Sequence, residues 1–213
     1  MARLIVLFCA IVLAACGGGS GPSLPGVLGP QSAQSVAESS SDFPGLQKCT
    51  ESGSYDSYLK QEQTKSPDQY QSDKTTWDDL KASGANDSYI AVYAASSSDC
   101  GQFAAGTPSG KVAYVYAIRF KDSTSASASF KTTSKDFHLS DDDLANLKAA
   151  GGTAAQGSAT GLGDNSIVLS IDVAGASVYV AVWENKTFEV AEVAFNDATD
   201  AKAAVTKVNG RIR

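Results

Sequence analysis

SIVLSIDV at residues 166–173, SVYVAVWE at 177–184 and TFEVAEVAF at 187–195 are separated only by Ala174-Gly175-Ala176 and Asn185-Lys186. All three runs are rich in β-branched and aromatic residues, which suit a pleated, half-buried surface. The two connections are short and contain residues that tolerate positive φ, so the chain reads as an antiparallel meander. Asp197 then opens a helix in which Ala201, Val205, Val208 and Ile212 recur at helical spacing and face inward. Three antiparallel strands closed by an amphipathic helix place the chain in the α+β class.

Working upstream, residues 111–121 form another strand. Val112, Tyr114, Val115, Tyr116, Ile118 and Phe120 make it apolar on both faces, which predicts a central position. Residues 88–95 are its neighbour, and 96–109, carrying Cys100, read as a loop. After Asp122 or Ser123 as cap, Ala126, Phe130, Thr133 and Phe137 trace a helical stripe. That helix is rich in Ser and Thr, so packing has to hold it. Ser140 followed by Asp141, Asp142 and Asp143 starts a short helix with Leu144 and Leu147, its first turn acidic as the helix dipole favours, and Gly151-Gly152 ends it. Residues 153–165 read as a Gly/Ala-rich connection. Near the start, Ser66-Pro67-Asp68-Gln69 combines a cap, a proline suited to the first helical position and a capping-box Gln. Tyr70, Trp77 and Leu80 share one stripe of that helix, and Gly84 supplies a left-handed stop. A further short amphipathic helix surrounds Tyr55, Tyr58 and Leu59.

Two strand-to-helix junctions align at a fixed offset. Phe120, Asp122, Thr124, Ala126 and Ala128 match Phe195, Asp197, Thr199, Ala201 and Ala203, while Lys111 and Val115 match Lys186 and Val190. The expectation is a duplication, residues 66–137 and 140–213, of a helix-strand-strand-helix unit. One antiparallel sheet would result, covered on one face by helices.

At the amino end, Arg3 precedes residues 4–13, which are all apolar and too few to span a bilayer. Leu13-Ala14-Ala15-Cys16 follows. This pattern closely resembles bacterial lipoprotein signals, in which the cysteine after small residues is acylated once residues 1–15 are removed. The resemblance implies lipidation at Cys16, with several acyl chains to hold the protein firmly where one would not. Residues 16–42 would be the lipidated Cys and a flexible linker, too poor in large apolar residues to bury anything, with a reach on the order of 25–30 Å. Residues 43–213 would be a single α+β domain on the extracytoplasmic face, burying roughly 70% of its unfolded surface.

The net charge is −6, and −7 once Arg3 leaves with the leader. No basic stripe is available to displace phosphate counterions, so nucleic acid is not an expected partner, nor are anionic headgroups. Cys9 leaves with the leader, which sets Cys49 and Cys100 apart as a pair in an oxidising compartment. A disulfide between them is expected, contributing about 4 kcal/mol by loop closure. Neither has His or carboxylate neighbours at ligand spacing, so no metal site and no cofactor are expected.

His138, beside Asp136 and residues 141–143, is the one histidine and the centre of the alternative reading as a hydrolase with an atypical site. No Gly-x-Ser-x-Gly accompanies it, which favours a plain position between two helices. Gly106-Thr107-Pro108-Ser109-Gly110-Lys111 lacks a spacer residue of a P-loop and has Val112 in place of the required Ser/Thr, so it reads as a hairpin turn. The run Asp141, Asp142, Asp143 lacks the alternating ligands of a calcium loop and reads as a helix cap. Asn86-Asp87-Ser88 and Asn185-Lys186-Thr187 match the glycosylation sequon but read as turns. Gly161-Leu162-Gly163-Asp164-Asn165 is a turn with the composition of a small-anion nest.

Gly161-Leu162-Gly163-Asp164, the meander with its Asn185 turn, and the closing helix ending Arg211-Ile212 together resemble the C-terminal units of actinobacterial lipoproteins and mycobacterial serine/threonine kinase sensor ectodomains. The resemblance covers residues 160–213. It implies a ligand-sensing or scaffolding module without catalysis, anchored to the membrane through Cys16 and binding an unidentified small molecule or envelope protein. That family typically carries two disulfides within the domain, and one pair is available here. A purely structural envelope protein is the remaining alternative.

Overall fold

The computed structural model describes residues 30–65, 67–104, 107–133, 140–173 and 176–213. Residues 1–29, Ser66, Gly106, Asp136, Phe137, His138, Ala174 and Gly175 therefore lie outside the described residues.

In chain order the elements are α1 (Ala33–Ala37), β1 (Gln47–Lys48), β2 (Gly53–Ser54), α2 (Tyr55–Lys65), α3 (Pro67–Ala82), β3 (Ala85–Ala94), α4 (Ser97–Ala104) and β4 (Val112–Phe120). There follow α5 (Ser123–Thr133), α6 (Asp141–Ala149), β5 (Thr153–Gln156), a 3₁₀ turn (Gly157–Thr160), β6 (Ser166–Val173), β7 (Ala176–Asn185), β8 (Phe188–Phe195) and α7 (Ala198–Arg211). Among the described residues all strands join one eight-stranded antiparallel sheet, ordered β1-β3-β4-β8-β7-β6-β5, with β2 also on the outer edge of β3. The meander forms as its sequence predicts, with Ile167 opposite Val182 and Trp183 opposite Val190, and Lys186 takes the positive φ (55°) of the tight turn. β4 pairs β3 on one side and β8 on the other, the central position its two apolar faces require.

That two-sided burial corrects the expectation of a one-face cover. On one face Ile90, Val92, Tyr114, Ile118, Phe120 and Val193 meet α2 to α5 through Tyr55, Tyr58, Leu59, Trp77, Phe103 and Ala126. Further along it Ile167, Leu169 and Val182 meet Phe130 of α5 and Leu147 of α6. On the other face Ala91, Tyr93, Ala113, Val115, Ala117, Tyr179, Ala181, Trp183, Phe188, Val190 and Ala194 meet α1 and α7. The sheet there is floored with alanine, and α1 and α7 present Ala33, Ala37, Ala201 and Ala204 to it, all fully buried. Small residues on both sides let helix and sheet backbones approach closely, at the density of a native core.

The two aligned junctions diverge at this level. Phe120 and Phe195 end their strands on the same face, yet α5 packs on that face and α7 on the opposite one. Asp122 caps α5 by accepting from the Ser125 amide at 2.7 Å, whereas Asp197 makes no side-chain cap and pairs with Lys111 instead.

Two stretches differ from their sequence reading. Residues 33–37, which composition assigns to the linker, form α1 and are buried on the sheet, so folded structure reaches back at least to residue 31, upstream of residue 43. Five residues of Ala, Gln, Ser and Val show too little periodicity to declare a helix. Residues 96–109 are not simply a loop: Ser96 accepts from the Asp99 amide and donates to Asp99 at 2.6 Å, a capping pair that starts α4. Residues 107–110 thus lead from α4 into β4 rather than forming a hairpin turn.

Gly84 ends α3 as expected, with φ of +107°, and a Cβ there would lie 3.1 Å from the Lys121 and Ser125 side chains. Gly84→Ala is expected to cost about 1–2 kcal/mol, the penalty of a Cβ in the left-handed region. A thermal melt should register a drop of a few degrees; an unchanged midpoint would show that the backbone relaxes freely there.

Candidate functional site

Residues 31–42 form a strap across the alanine-floored face, lying over β3 and β4 beside α7. Ser32 caps α1 by accepting from the Ser35 amide, and the Ala33 amide donates to Asp87 of β3 at 2.8 Å. Val36 and Phe43 supply the large apolar anchors, Phe43 lying 5.2 Å from the Tyr93 ring. Past the helix, the Ser39 amide donates to the Tyr93 hydroxyl at 3.0 Å, and Tyr89 donates to Glu38 at 2.6 Å. Lys48 pairs with the same Glu38. Burial pushes the Glu38 carboxyl up, but hydrogen bonds from Lys48, Tyr89 and Gln34 outweigh it and hold it below its ordinary range.

The strap is fastened by Arg211, in the last turn of α7. Its guanidinium donates to both oxygens of Asp42 at 2.6 Å, and Nε and Nη2 donate to the Val36 carbonyl at 3.1 and 2.6 Å. A planar fork satisfies a fully buried carboxylate bidentately while also meeting a carbonyl near the C-terminus of α1, where helix carbonyls lack intrahelical partners. Lys207 adds a bond to the Ser41 carbonyl at 2.6 Å. At the other end of the strap, Gln31 donates to the Arg211 carbonyl at 2.7 Å and accepts from the Arg213 amide at 2.9 Å.

Beneath this seam, on β8, lies Glu192. It is fully buried, directly between Val115 of β4 and Ala181 of β7, and neither carboxylate oxygen has a hydrogen-bond partner. Burial pushes its carboxyl well above the ordinary range, Asp42 adds to the rise and Arg211 opposes it. Burial thus favours the protonated form of Glu192 beside the pair that fastens the strap, an unmatched buried carboxylate being the costlier alternative. Tyr179, on the same face of β7, is pushed up to about 12 by burial and by Glu192. The seam therefore holds one guanidinium and two carboxyl groups.

Glu192 was legible as an anomaly. In the alternation of residues 187–195 it falls in phase with Phe188, Val190 and Ala194, where a carboxylate has no place unless it is partnered or protonated. Arg211 carries no comparable signal, because the strap it fastens was itself unread.

The residues singled out from the sequence are dispersed. Cys49 and Cys100 are bonded, with Cα atoms 5.7 Å apart, tying the chain before β2 to α4. Glu51 completes a Cys49, Glu51, Cys100 grouping within ligand distance, but sulfurs joined to each other offer no thiolate to a cation. Ser140 and Asp143 make the full capping box of α6. Gly161 and Gly163 take positive φ, and Ser166 binds the Gly157 and Gly163 carbonyls across the turn. Asn86 lies in β3 rather than in a turn and accepts from Arg119 of β4, while Asn185, at the end of β7, donates to Asn209 of α7. Cys16, Asp136 and His138 lie outside the described residues. The aromatic stripe of α3 is core: Trp77 packs 5.4 Å from Tyr55 and donates to Asp56. Among the described residues no helix is long and apolar enough to cross a membrane.

No family model matches the chain, and no curated protein matches it. Among solved structures the extracellular domain of PknH from Mycobacterium tuberculosis is similar, with 15% identity, 62% of this chain and 70% of that chain covered, and a TM-score of 0.35.

Proposed function

We propose that the chain is a lipid-anchored, extracytoplasmic binding or scaffolding module without catalysis, acylated at Cys16. The observation that carries the compartment is the Cys49–Cys100 disulfide, a bond that persists in oxidising surroundings, in a chain whose first residues resemble a lipoprotein signal. The absence of catalysis is supported by how three of the described buried carboxylates are used. Asp42 meets Arg211, Asp73 accepts from Tyr58 at 2.6 Å and Asp197 meets Lys111, each holding one element to another. Because the described fold reaches back to residue 31, a tether comprises at most residues 17–30, which as a flexible coil would reach about 20 Å. The domain then sits close to its membrane, suited to partners in the same layer: an envelope protein or a small molecule.

Expression of the full-length chain in a bacterial host tests this directly. Wild-type protein should sediment with membranes and incorporate a palmitate analogue, and Cys16→Ala should abolish both. Membrane association and labelling that survive Cys16→Ala would overturn the anchored reading. A thermal-shift screen of the same protein against small molecules reads the binding half; hydrolysis of any screened compound that is lost in His138→Ala would overturn the absence of catalysis.

A further inference from the structure

Among the described residues Asp42 and Asp73 are buried carboxyls matched to a cation or a donor, whereas Glu192 is not, and it lies where that can matter. Glu192 has two unpartnered oxygens and lies under the junction of two separately packed elements, the strap and α7. The cation at that junction, Arg211, is already engaged on both oxygens of Asp42. Asp42 belongs to the strap and leaves with it; Glu192 belongs to a central strand and stays. We propose that this seam is a proton-operated latch, in which Arg211 exchanges Asp42 for Glu192 as the strap lifts from the sheet. The latch stands whether or not Cys16 is acylated.

In the closed state Glu192 keeps its proton, Asp42 is the carboxylate bound to Arg211 and the strap is down. On opening, Asp42 passes into water, the Glu192 proton goes to solvent, and the resulting carboxylate takes the freed guanidinium. The closed state therefore binds one more proton than the open one. Linkage fixes the sign: closing is favoured at low pH, and its advantage is lost as pH rises from the ordinary carboxylate range towards the elevated range in which the buried Glu192 ionises.

The other charged or titratable groups about the seam do not supply the effect. On the strap, Glu38 is held ionised by Lys48 and Tyr89. On β7 and β3, Tyr179 and Tyr93 are each pushed up to about 12 by burial and remain neutral throughout. On α7, Lys207 binds a strap carbonyl, and β4 contributes the apolar Val115.

Hydrogen exchange of the full-length chain in mild detergent, corrected for the intrinsic pH dependence of amide exchange, tests the latch. Amides of residues 33–39 should lose protection by up to about tenfold per pH unit on the alkaline side, while those of β8 hold theirs. Glu192→Gln should flatten that slope. Asp42→Asn leaves Glu192 as the only carboxylate for Arg211, so opening should move to lower pH. A strap whose protection is independent of pH in the wild type would overturn the proposal, as would a wild-type slope in Glu192→Gln. Should Glu192→Gln fail to fold, an unshifted transition in Asp42→Asn would do the same.

Discussion

Reducing the Cys49–Cys100 bond in the full-length chain is expected to lower its melting temperature by roughly 10 °C. The bond closes a loop with a sequence separation of 51, which in the chain-entropy account corresponds to about 4 kcal/mol, and a domain of this size shifts by ~2–4 °C per kcal/mol. The loss should fall on one edge of the sheet. β1 and β2 are two-residue strands on the outside of β3, and β2 leads directly into α2 with Tyr55, Tyr58 and Leu59. Without the bridge to α4, the holds that remain there include this short pairing, the Cys49 amide bond to the Val92 carbonyl, the Ser52 hydroxyl bonds to the Val92 backbone, the Gln47 bond to Ser97 and the aromatic packing on Trp77. A Cys49→Ser, Cys100→Ser double variant should melt with the reduced protein. Two titratable thiols in the native protein, or identical melts with and without reductant, would count against the bridge.

Arg211→Ala is expected to destabilise by about 3 kcal/mol, because removing one partner leaves Asp42 buried and unmatched beside Glu192. The same change strips the Val36 carbonyl of two donors. Urea unfolding monitored by circular dichroism should show a lower midpoint with little change in slope. Arg211→Lys should recover less than half of the loss, since an ammonium cannot span two carboxylate oxygens and a carbonyl with one planar fork. A loss below about 1 kcal/mol in Arg211→Ala would mean that the strap is held by its apolar anchors and its other hydrogen bonds rather than by Arg211.

Legibility followed element length and two-sidedness. The strands of the meander and β4 declare themselves through four or more β-branched or aromatic residues in each, and α3 and α7 through side chains at helical spacing closed by Gly84 or opened at Asp197. β1, β2 and β5 have two to four residues, too few for any period to appear. They exist because neighbours already in place offer unpaired backbone. The strap failed for a related reason: alanine is indifferent to linker and core alike, and only the alanine floor opposite makes Ala33 and Ala37 a packing surface. The cover on two faces is legible at β4, and equally in β7, where Tyr179, Ala181 and Trp183 alternate with Val178, Val180 and Val182. Glu192 was written plainly in its strand, while its meaning needed Asp42 and Arg211, which are far from it and from each other along the chain.

Gln31 meets Arg211 and Arg213, so the first turn of the described domain is completed by its last residues. During synthesis, residues 31–42 emerge early and must wait, undocked, until α7 is finished. β4 waits in the same way for β8, a pairing across roughly the length of a small domain. For that interval the alanine floor of β3 and β4 is bare. Chaperone capture should therefore favour chains truncated before residue 198, and a stop a few residues short of Arg211 should leave a sheet that has formed but cannot close.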